Sequence, residues 1–275
     1  MGTKLIATDL NGTLLHNDQS FNRNLFKETL QALDRRGIQL VLSSGNQFAH
    51  LKQLFKDVMA DNLAIVAENG ASIYLKGHQV FDGSLTTEQV HQFLTVDRQQ
   101  AVLANAYIIL VGQNGSYTET GAPQVLLDAA SKFYDNLQQV DDLTTVSDRI
   151  KKISVSTAPG QAADLVLTLN RHFDGRLRAH DSGYGVVDVV GANVGKLQAI
   201  QWLARHFEVE AEDIMAFGDG DNDLPLIAYA GQGWAMANAP AKIREAATQT
   251  TSLDNEHDGV LRTIQAALLA DDLTR

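Results

Sequence analysis

The sequence predicts an α/β fold, a doubly wound parallel-sheet core into which an α+β unit is inserted. Three observations predict it. In the first third of the chain, short and almost wholly apolar runs alternate with amphipathic stretches, the pattern of strands buried on both faces and the helices that cover them. From residue 83 to residue 187 this gives way to strand pairs mixed with helices. The first pattern then returns, so the core is assigned to residues 1–82 and 188–275 and the insertion to residues 83–187.

Each element has its own reason. Residues 4–9 form an apolar run that ends on a carboxylate and meets the turn-forming pair Asn11-Gly12. Residues 24–36 carry Leu25, Leu30 and Leu33 at helical spacing, and Gly37 stops that helix. Residues 38–43 and 63–67 are further strands, with a helix over 47–60 between them. In the insertion, residues 107–111 and 116–119 read as a hairpin about Asn114-Gly115, a favoured two-residue turn. Strands are expected over 151–157, 177–182 and 186–190, and helices over 87–99, 123–137 and 161–173. The core resumes with a helix over 194–207, a strand over 214–217 and a helix beyond. Parallel sheets gather polar residues at the carboxyl ends of their strands into one crevice, and Asp9, Ser44 and Glu68 stand at such ends.

Composition narrows the function. The 275 residues are 44% hydrophobic, enough for a sizeable core, and carry a net charge of −11. That charge leaves no basic surplus for nonspecific nucleic-acid binding. The absence of cysteine excludes disulfides, thiolate ligands and a Cys nucleophile. The apolar runs fall far short of the ~20 residues of a membrane span, and the chain enters its first strand with no signal-peptide pattern. A soluble cytoplasmic protein with a small-molecule partner, and neither nucleic acid nor membrane, is the expectation.

Three separated pieces carry chemistry: Asp9-Leu10-Asn11-Gly12-Thr13-Leu14, Ser43-Ser44-Gly45-Asn46, and Gly218-Asp219-Gly220-Asp221-Asn222-Asp223, with Lys196 upstream of the third. Phosphoryl transfer needs a nucleophile, in-line geometry and positive charge around the equatorial oxygens. A carboxylate can form the covalent intermediate. Asp9 and Asp219 suit a hard cation such as Mg²⁺. Ser44 and the Gly45 amide, at a helix N-terminus, suit phosphate oxygens, and Lys196 would offset the combined charge of Asp9 and phosphate. Each residue alone has a plainer reading: a turn for Asp9 and for Asn11-Gly12, a helix cap for Ser44, a solvated helix position for Lys196. The acidic run 219–223 alone would be a solvated loop or a Ca²⁺ site, although it lacks the spacing and closing Glu of an EF-hand loop. His180 and Asp181 beside the Ser182-Gly183 turn suit a substrate contact, with an ordinary loop role as the plainer reading, and Trp202 and Trp234 read as packing residues.

Together and in this order, the pieces resemble the signature of the haloacid-dehalogenase superfamily, and more narrowly its Cof-type sugar phosphatases. Ala67-Glu68-Asn69-Gly70-Ala71, Ser182-Gly183-Tyr184-Gly185, Met236-Ala237-Asn238-Ala239 and Asp258-Gly259-Val260 carry the narrower likeness. The resemblance implies a Mg²⁺-dependent phosphatase that hydrolyses a small phosphate monoester, such as a sugar phosphate, through an aspartyl-phosphate on Asp9. It implies Asp9 as nucleophile and metal ligand. The position of Asn11 would be a metal ligand through its backbone carbonyl and, as the usual Asp, the general acid/base. Leu10, Ser44, Gly45, Asn46, Lys196 and Asn222 would bind phosphate and substrate. Asp219 would ligate Mg²⁺, Asp223 would hold a metal-bound water, and the insertion would be a cap that closes over the substrate and sets specificity.

One residue departs from the pattern Asp-x-Asp-Gly-Thr: Asn11 replaces the second Asp. An amide has no dissociable proton in the useful range, so it neither protonates a leaving alkoxide nor activates water. The same residues therefore also suit a catalytically weak sugar-phosphate binding or sensing protein, or a phosphotransferase or mutase.

Overall fold

The structure, a computed structural model, describes residues 2–99, 103, 106–134, 136–157, 160–183 and 185–270. The chain begins with β1 (Leu5–Thr8), α1 (Arg23–Asp34), β2 (Gln39–Ser43), α2 (Phe48–Phe55), β3 (Leu63–Ala67), β4 (Ser72–Leu75) and β5 (His78–Asp82). There follow α3 (Thr87–Gln99), β6 (Tyr107–Gly112), β7 (Ser116–Glu119), α4 (Gln124–Ala130), β8 (Leu137–Val140), β9 (Ile150–Ser156), α5 (Ala162–Phe173), β10 (Leu177–Asp181) and β11 (Val186–Gly191). The last part is α6 (Lys196–Phe207), β12 (Ile214–Gly218), α7 (Leu224–Tyr229), β13 (Gln232–Ala235), α8 (Ala241–Ala246), β14 (Gln249–Thr250) and α9 (Gly259–Leu269). Among the described residues no helix is long and apolar enough to cross a membrane.

One sheet has the order β14-β13-β12-β1-β2-β3-β4-β5 and is parallel from β14 to β3. Successive side chains of β1 enter opposite cores, as the period of a strand requires. Leu5 and Ala7 join Ala199, Ile200 and Leu203 of α6 and Leu226 of α7. Ile6 joins Phe26 and Leu30 of α1, Leu51 of α2 and Ile264 of α9. Helices thus cover both faces, the doubly wound arrangement expected. At the edge the sheet turns antiparallel, which was not expected. Lys76 and Gly77 both have positive φ and join β4 to β5 where Leu75 faces His78, a tight turn made without the usual Asn-Gly signal.

The second sheet has the order β10-β11-β9-β6-β7-β8. One face is apolar: Ile108, Leu110, Ile153, Val155, Leu177, Ala179, Val187 and Val189 pack with Phe93 of α3 and Leu165, Leu169 and Phe173 of α5. Across β10, β11 and β9 the opposite face carries a polar row. His180, Asp188 and Ser154 lie directly opposite one another across β10, β11 and β9, with Arg178 and Lys152 two residues away along their strands.

Several expected boundaries are corrected. The division between residues 187 and 188 falls inside β11, a strand of the second sheet through Gly191. The helix expected over 123–137 ends at Ala130, because residues 137–140 pair in parallel with β7 and Asn136 takes a left-handed conformation (φ 52°). The hairpin turn is centred one residue earlier than expected, on Gln113-Asn114. The Gly112 amide donates to the Gly115 carbonyl at 2.8 Å, and the Asp148 carboxylate accepts from the backbone and side chain of Asn114. The helix expected over 47–60 starts at Phe48 and ends at Phe55, followed by one 3₁₀ turn, and that expected over 194–207 starts at Lys196.

Glu68, Asn69 and Gly70 have successive positive φ values of 49°, 56° and 99°. Gly70 lies so close to the Gly195 carbonyl, just before α6, that a Cβ there would collide with it. Gly70→Ala is therefore expected to cost at least roughly 2 kcal/mol, from an incompatible φ and an overpacked contact. A urea midpoint unchanged from the wild type would contradict this packing.

Candidate active site

The chain runs from β1 to β2 on one side, while β12 lies against β1 on the other. This is a topological switch point, where the strand ends of an open α/β sheet leave a crevice. Asp9 follows β1 there, its amide bonded to the Phe217 carbonyl of β12 at 3.0 Å. The turn after it closes on the Leu10 carbonyl, which accepts from the amides of Thr13 and Leu15. Gly12 has φ 77°, and a side chain there would press on the Asp219 carboxylate, so glycine is needed on both grounds. Thr13 Oγ1 donates to Asp219 Oδ1 at 2.8 Å, and Asn238 Nδ2 donates to the Gly12 carbonyl at 2.8 Å. Farther along, Asp258 accepts from Asn22 and is hydrogen-bonded to His16. The C-terminal motifs thus brace the loop that carries Asp9.

Lys196 is buried at the first position of α6, where the helix dipole disfavours a cation. Two carboxylates compensate: Nζ donates to Asp9 Oδ1 at 2.5 Å and to Asp223 Oδ1 at 2.6 Å. Expected as a phosphate contact, Lys196 is already held by this pair, which keeps its ammonium charged despite burial. Asp223, expected to hold a metal-bound water, has its other oxygen engaged by the amides of Asp219 and Gly220 at 3.2 and 3.0 Å. It anchors the acidic loop to Lys196.

Carboxylate oxygens of Asp9, Asp219 and Asp223 lie within 4.8 Å of one another. Burial, then repulsion from Asp223 and Asp219, pushes Asp9 up to about 7 against the pull of Lys196. Burial and Asp223 push Asp219 up to about 6. Buried carboxylates this crowded are short of positive charge, and an all-oxygen donor set of this kind fits a hard divalent cation. The residues present therefore fit Mg²⁺.

The other expected residues are placed as follows. The Leu10 side chain lies in the core with no exposure, so only its main chain faces the site. Asn11 Oδ1 is buried without a hydrogen-bond partner among the described residues, as is Asn46 Nδ2. Ser44 is buried and its Oγ accepts from the Asn46 amide at 3.1 Å. Ser44 and Gly45 are not at a helix N-terminus as expected: α2 starts at Phe48, and the Phe48 amide is taken by Glu68 Oε1 at 2.8 Å. Residues 44–47 thus form a turn ahead of the helix, whose first amide is taken by the buried Glu68 side chain. Asn222 Nδ2 donates to Asn69 Oδ1 at 3.4 Å.

Asn69 was given no role by sequence, yet its side chain lies against Gly45 and bonds Asn222 and Asp188. Lys152, Ser154 and Asp188 were also missed. The available signal was the alternation Lys152-Ile153-Ser154-Val155, which marks one polar strand face. Such a face is ordinarily solvated, but Ser154, Lys152 and Asp188 are buried. His180 is in β10, within the strand expected over 177–182 and not in the adjoining loop; its Nε2 is buried without a partner among the described residues, and burial pushes its imidazole down to about 4. Asp181 is the last residue of β10, not a loop residue, and accepts from the Gly183 amide. Tyr184 of that segment lies outside the described residues.

Comparison with known proteins agrees with this geometry. Residues 6–264 match the family model of haloacid dehalogenase-like hydrolases. The 5-amino-6-(5-phospho-D-ribitylamino)uracil phosphatase YbjI of Escherichia coli strain K12 is 29% identical over 268 residues, covering 98% of this chain and 97% of its own. An HMP-PP phosphatase of Yersinia pseudotuberculosis serotype IB is 23% identical, with 98% and 97% covered. The crystal structure of SMU.1108c from Streptococcus mutans UA159 superposes with a TM-score of 0.91 at 28% identity, over 97% of this chain and 99% of that one. The resemblance read from the motifs is borne out: this chain is an enzyme that belongs to the haloacid dehalogenase-like hydrolases, of the Cof type.

Proposed function

We propose that the chain is a Mg²⁺-dependent phosphatase that hydrolyses a small, polar phosphate monoester, a sugar phosphate or a comparable metabolite, by way of a phosphoryl group on Asp9. The observation that carries this reading is the buried Asp9 carboxylate at the sheet's switch point, bonded to Lys196 and adjoining Asp219. The named activities of the relatives, both on small phosphorylated molecules, support it.

In this reading an Asp9 oxygen attacks phosphorus while the bond to the ester oxygen breaks and the leaving group departs. Water then attacks the aspartyl-phosphate, freeing inorganic phosphate and restoring Asp9. Lys196 offsets the Asp9 charge throughout. The Ser44 hydroxyl, the Gly45 amide and Asn222 hold the transferring group in line. Asp9, the Asn11 carbonyl and Asp219 would hold Mg²⁺, whose charge when bound stabilises the phosphoryl oxygens. Asn11 supplies no proton in either step. The second sheet and its helices form the cap, which we place between residue 83 and Gly191, and its polar face sets specificity.

A second reading has its own observation. Position 11 carries an amide, its Oδ1 buried without a partner among the described residues, where the resemblance implies a proton carrier, which suits a protein that binds a phosphorylated sugar and turns it over slowly. Assay of an aryl phosphate with Mg²⁺ separates the two. Turnover is expected, lost on chelation and restored by Mg²⁺ better than by Ca²⁺, which tolerates looser coordination. Full activity after exhaustive chelation would contradict the metal assignment, and binding without turnover would favour the second reading.

A further inference from the structure

Asp188 on β11 is 1% exposed and accepts four side-chain hydrogen bonds. Lys152 Nζ at 2.7 Å, Asn69 Nδ2 at 2.7 Å and Ser182 Oγ at 2.8 Å reach its Oδ2, and Ser154 Oγ at 2.5 Å reaches its Oδ1. Two of these donors lead out of the second sheet to the catalytic loops. Asn69 follows β3, and its own oxygen accepts from Asn222. Lys152, 4% exposed, also donates to the Gly45 carbonyl at 3.0 Å. A bulge opposite Val111 and Gly112 leaves Lys151 between the paired positions of β9. The two successive lysines thereby reach different carboxylates, Lys151 going to Asp82 at 2.7 Å.

The path from Lys152 ends on a group expected to touch phosphate. An ammonium on the Gly45 carbonyl polarises the Gly45–Asn46 peptide and strengthens the Asn46 amide as a donor. That amide donates to Ser44 Oγ, which leaves the Ser44 hydroxyl proton free to point at a phosphoryl oxygen. A buried ion pair is a poor stability device, since apolar residues of like volume often serve as well or better. It does hold groups in fixed positions.

We propose that Lys152 and Asp188 are positioning residues for phosphoryl transfer: through the Gly45 carbonyl and Asn69, one buried carboxylate on the second sheet sets both Ser44 and Asn222. The proposal rests on the phosphatase reading above, and adds that the cap acts on the phosphate loop itself as well as on the leaving group.

The test compares Lys152→Met, Lys152→Arg, Asp188→Asn and Lys151→Met by aryl-phosphate kinetics and by calorimetric titration with inorganic phosphate. Lys152→Met is expected to lower kcat on the order of 10²-fold, the scale of a small misplacement, and to weaken phosphate binding. Lys152→Arg should recover part of both. Combining Lys152→Met with Asp188→Asn should cost no more than the worse single change, as members of one network behave. Lys151→Met removes the neighbouring buried lysine and should lower the melting temperature while kcat and phosphate affinity stay at the wild-type level. Equal kinetic losses in Lys151→Met and Lys152→Met, strictly additive losses, or an active wild type that Lys152→Met leaves unchanged would each overturn the proposal. A wild type inert toward aryl phosphates would instead count against the phosphatase reading, and phosphate titration of the same variants would still decide the positioning role.

Discussion

Asn11→Asp is expected to raise the hydrolysis of alkyl phosphates by about 10²-fold or more, the usual contribution of a positioned acid/base. Asn11 Oδ1 is already buried without a partner among the described residues, and aspartate is nearly isosteric, so the new carboxyl needs no rearrangement. A carboxyl there, unlike the amide, has a dissociable proton to give to a leaving alkoxide. Aryl phosphates, whose leaving groups need little protonation, should gain less in the first step. The check is kcat/KM for matched alkyl and aryl substrates in both proteins. An Asn11→Asp protein no faster on alkyl phosphates would mean that another group or an ordered water already carries the proton.

Asp9→Asn is expected to abolish turnover both in the wild type and in the Asn11→Asp background, a loss on the order of 10⁴-fold or more for removal of a nucleophile. Its effect on stability should be opposite in sign to that of an ordinary core lesion. Asp9, Asp219 and Asp223 crowd one another, and Lys196 has a second carboxylate partner in Asp223 at 2.6 Å. Removing one charge therefore relieves repulsion, and the urea midpoint should hold or rise at neutral pH. Residual turnover near the wild-type level would show that Asp9 is not the nucleophile.

The core and the acidic site were legible for one physical reason. Strands buried on both faces read as apolar runs, and in a parallel sheet the residue that follows each run reaches a common edge. Asp9 and Asp219 therefore meet although far apart in the chain, and Ser44 follows the strand next to that of Asp9. What could not be read depends on partners distant in sequence. Residues 137–140 continue a plausible helical spacing until β7 claims them as a strand. Lys76-Gly77 makes a tight turn through left-handed backbone at a lysine, a conformation that a lysine in the sequence does not announce. Lys152 and Asp188 show by alternation that they share the polar side of the second sheet, but not that Gly45 and Asn69 cover that side. Asn69 gains its contacts from three successive left-handed residues, which only the folded chain displays.

The central claim is that phosphate passes through Asp9. With Asn11 unable to activate water, the second step should lag the first when the leaving group is a good one, so the phosphorylated enzyme should accumulate. The direct measurement is rapid acid quench of the protein mixed with Mg²⁺ and an aryl phosphate, followed by peptide mass spectrometry. The account predicts a burst of phenol matched by one phosphoryl group on the peptide containing Asp9, absent in Asp9→Asn and shorter-lived in Asn11→Asp. Steady release of phenol with no phosphorylated Asp9 at any time, from a protein that stays active as Asp9→Asn, would contradict it.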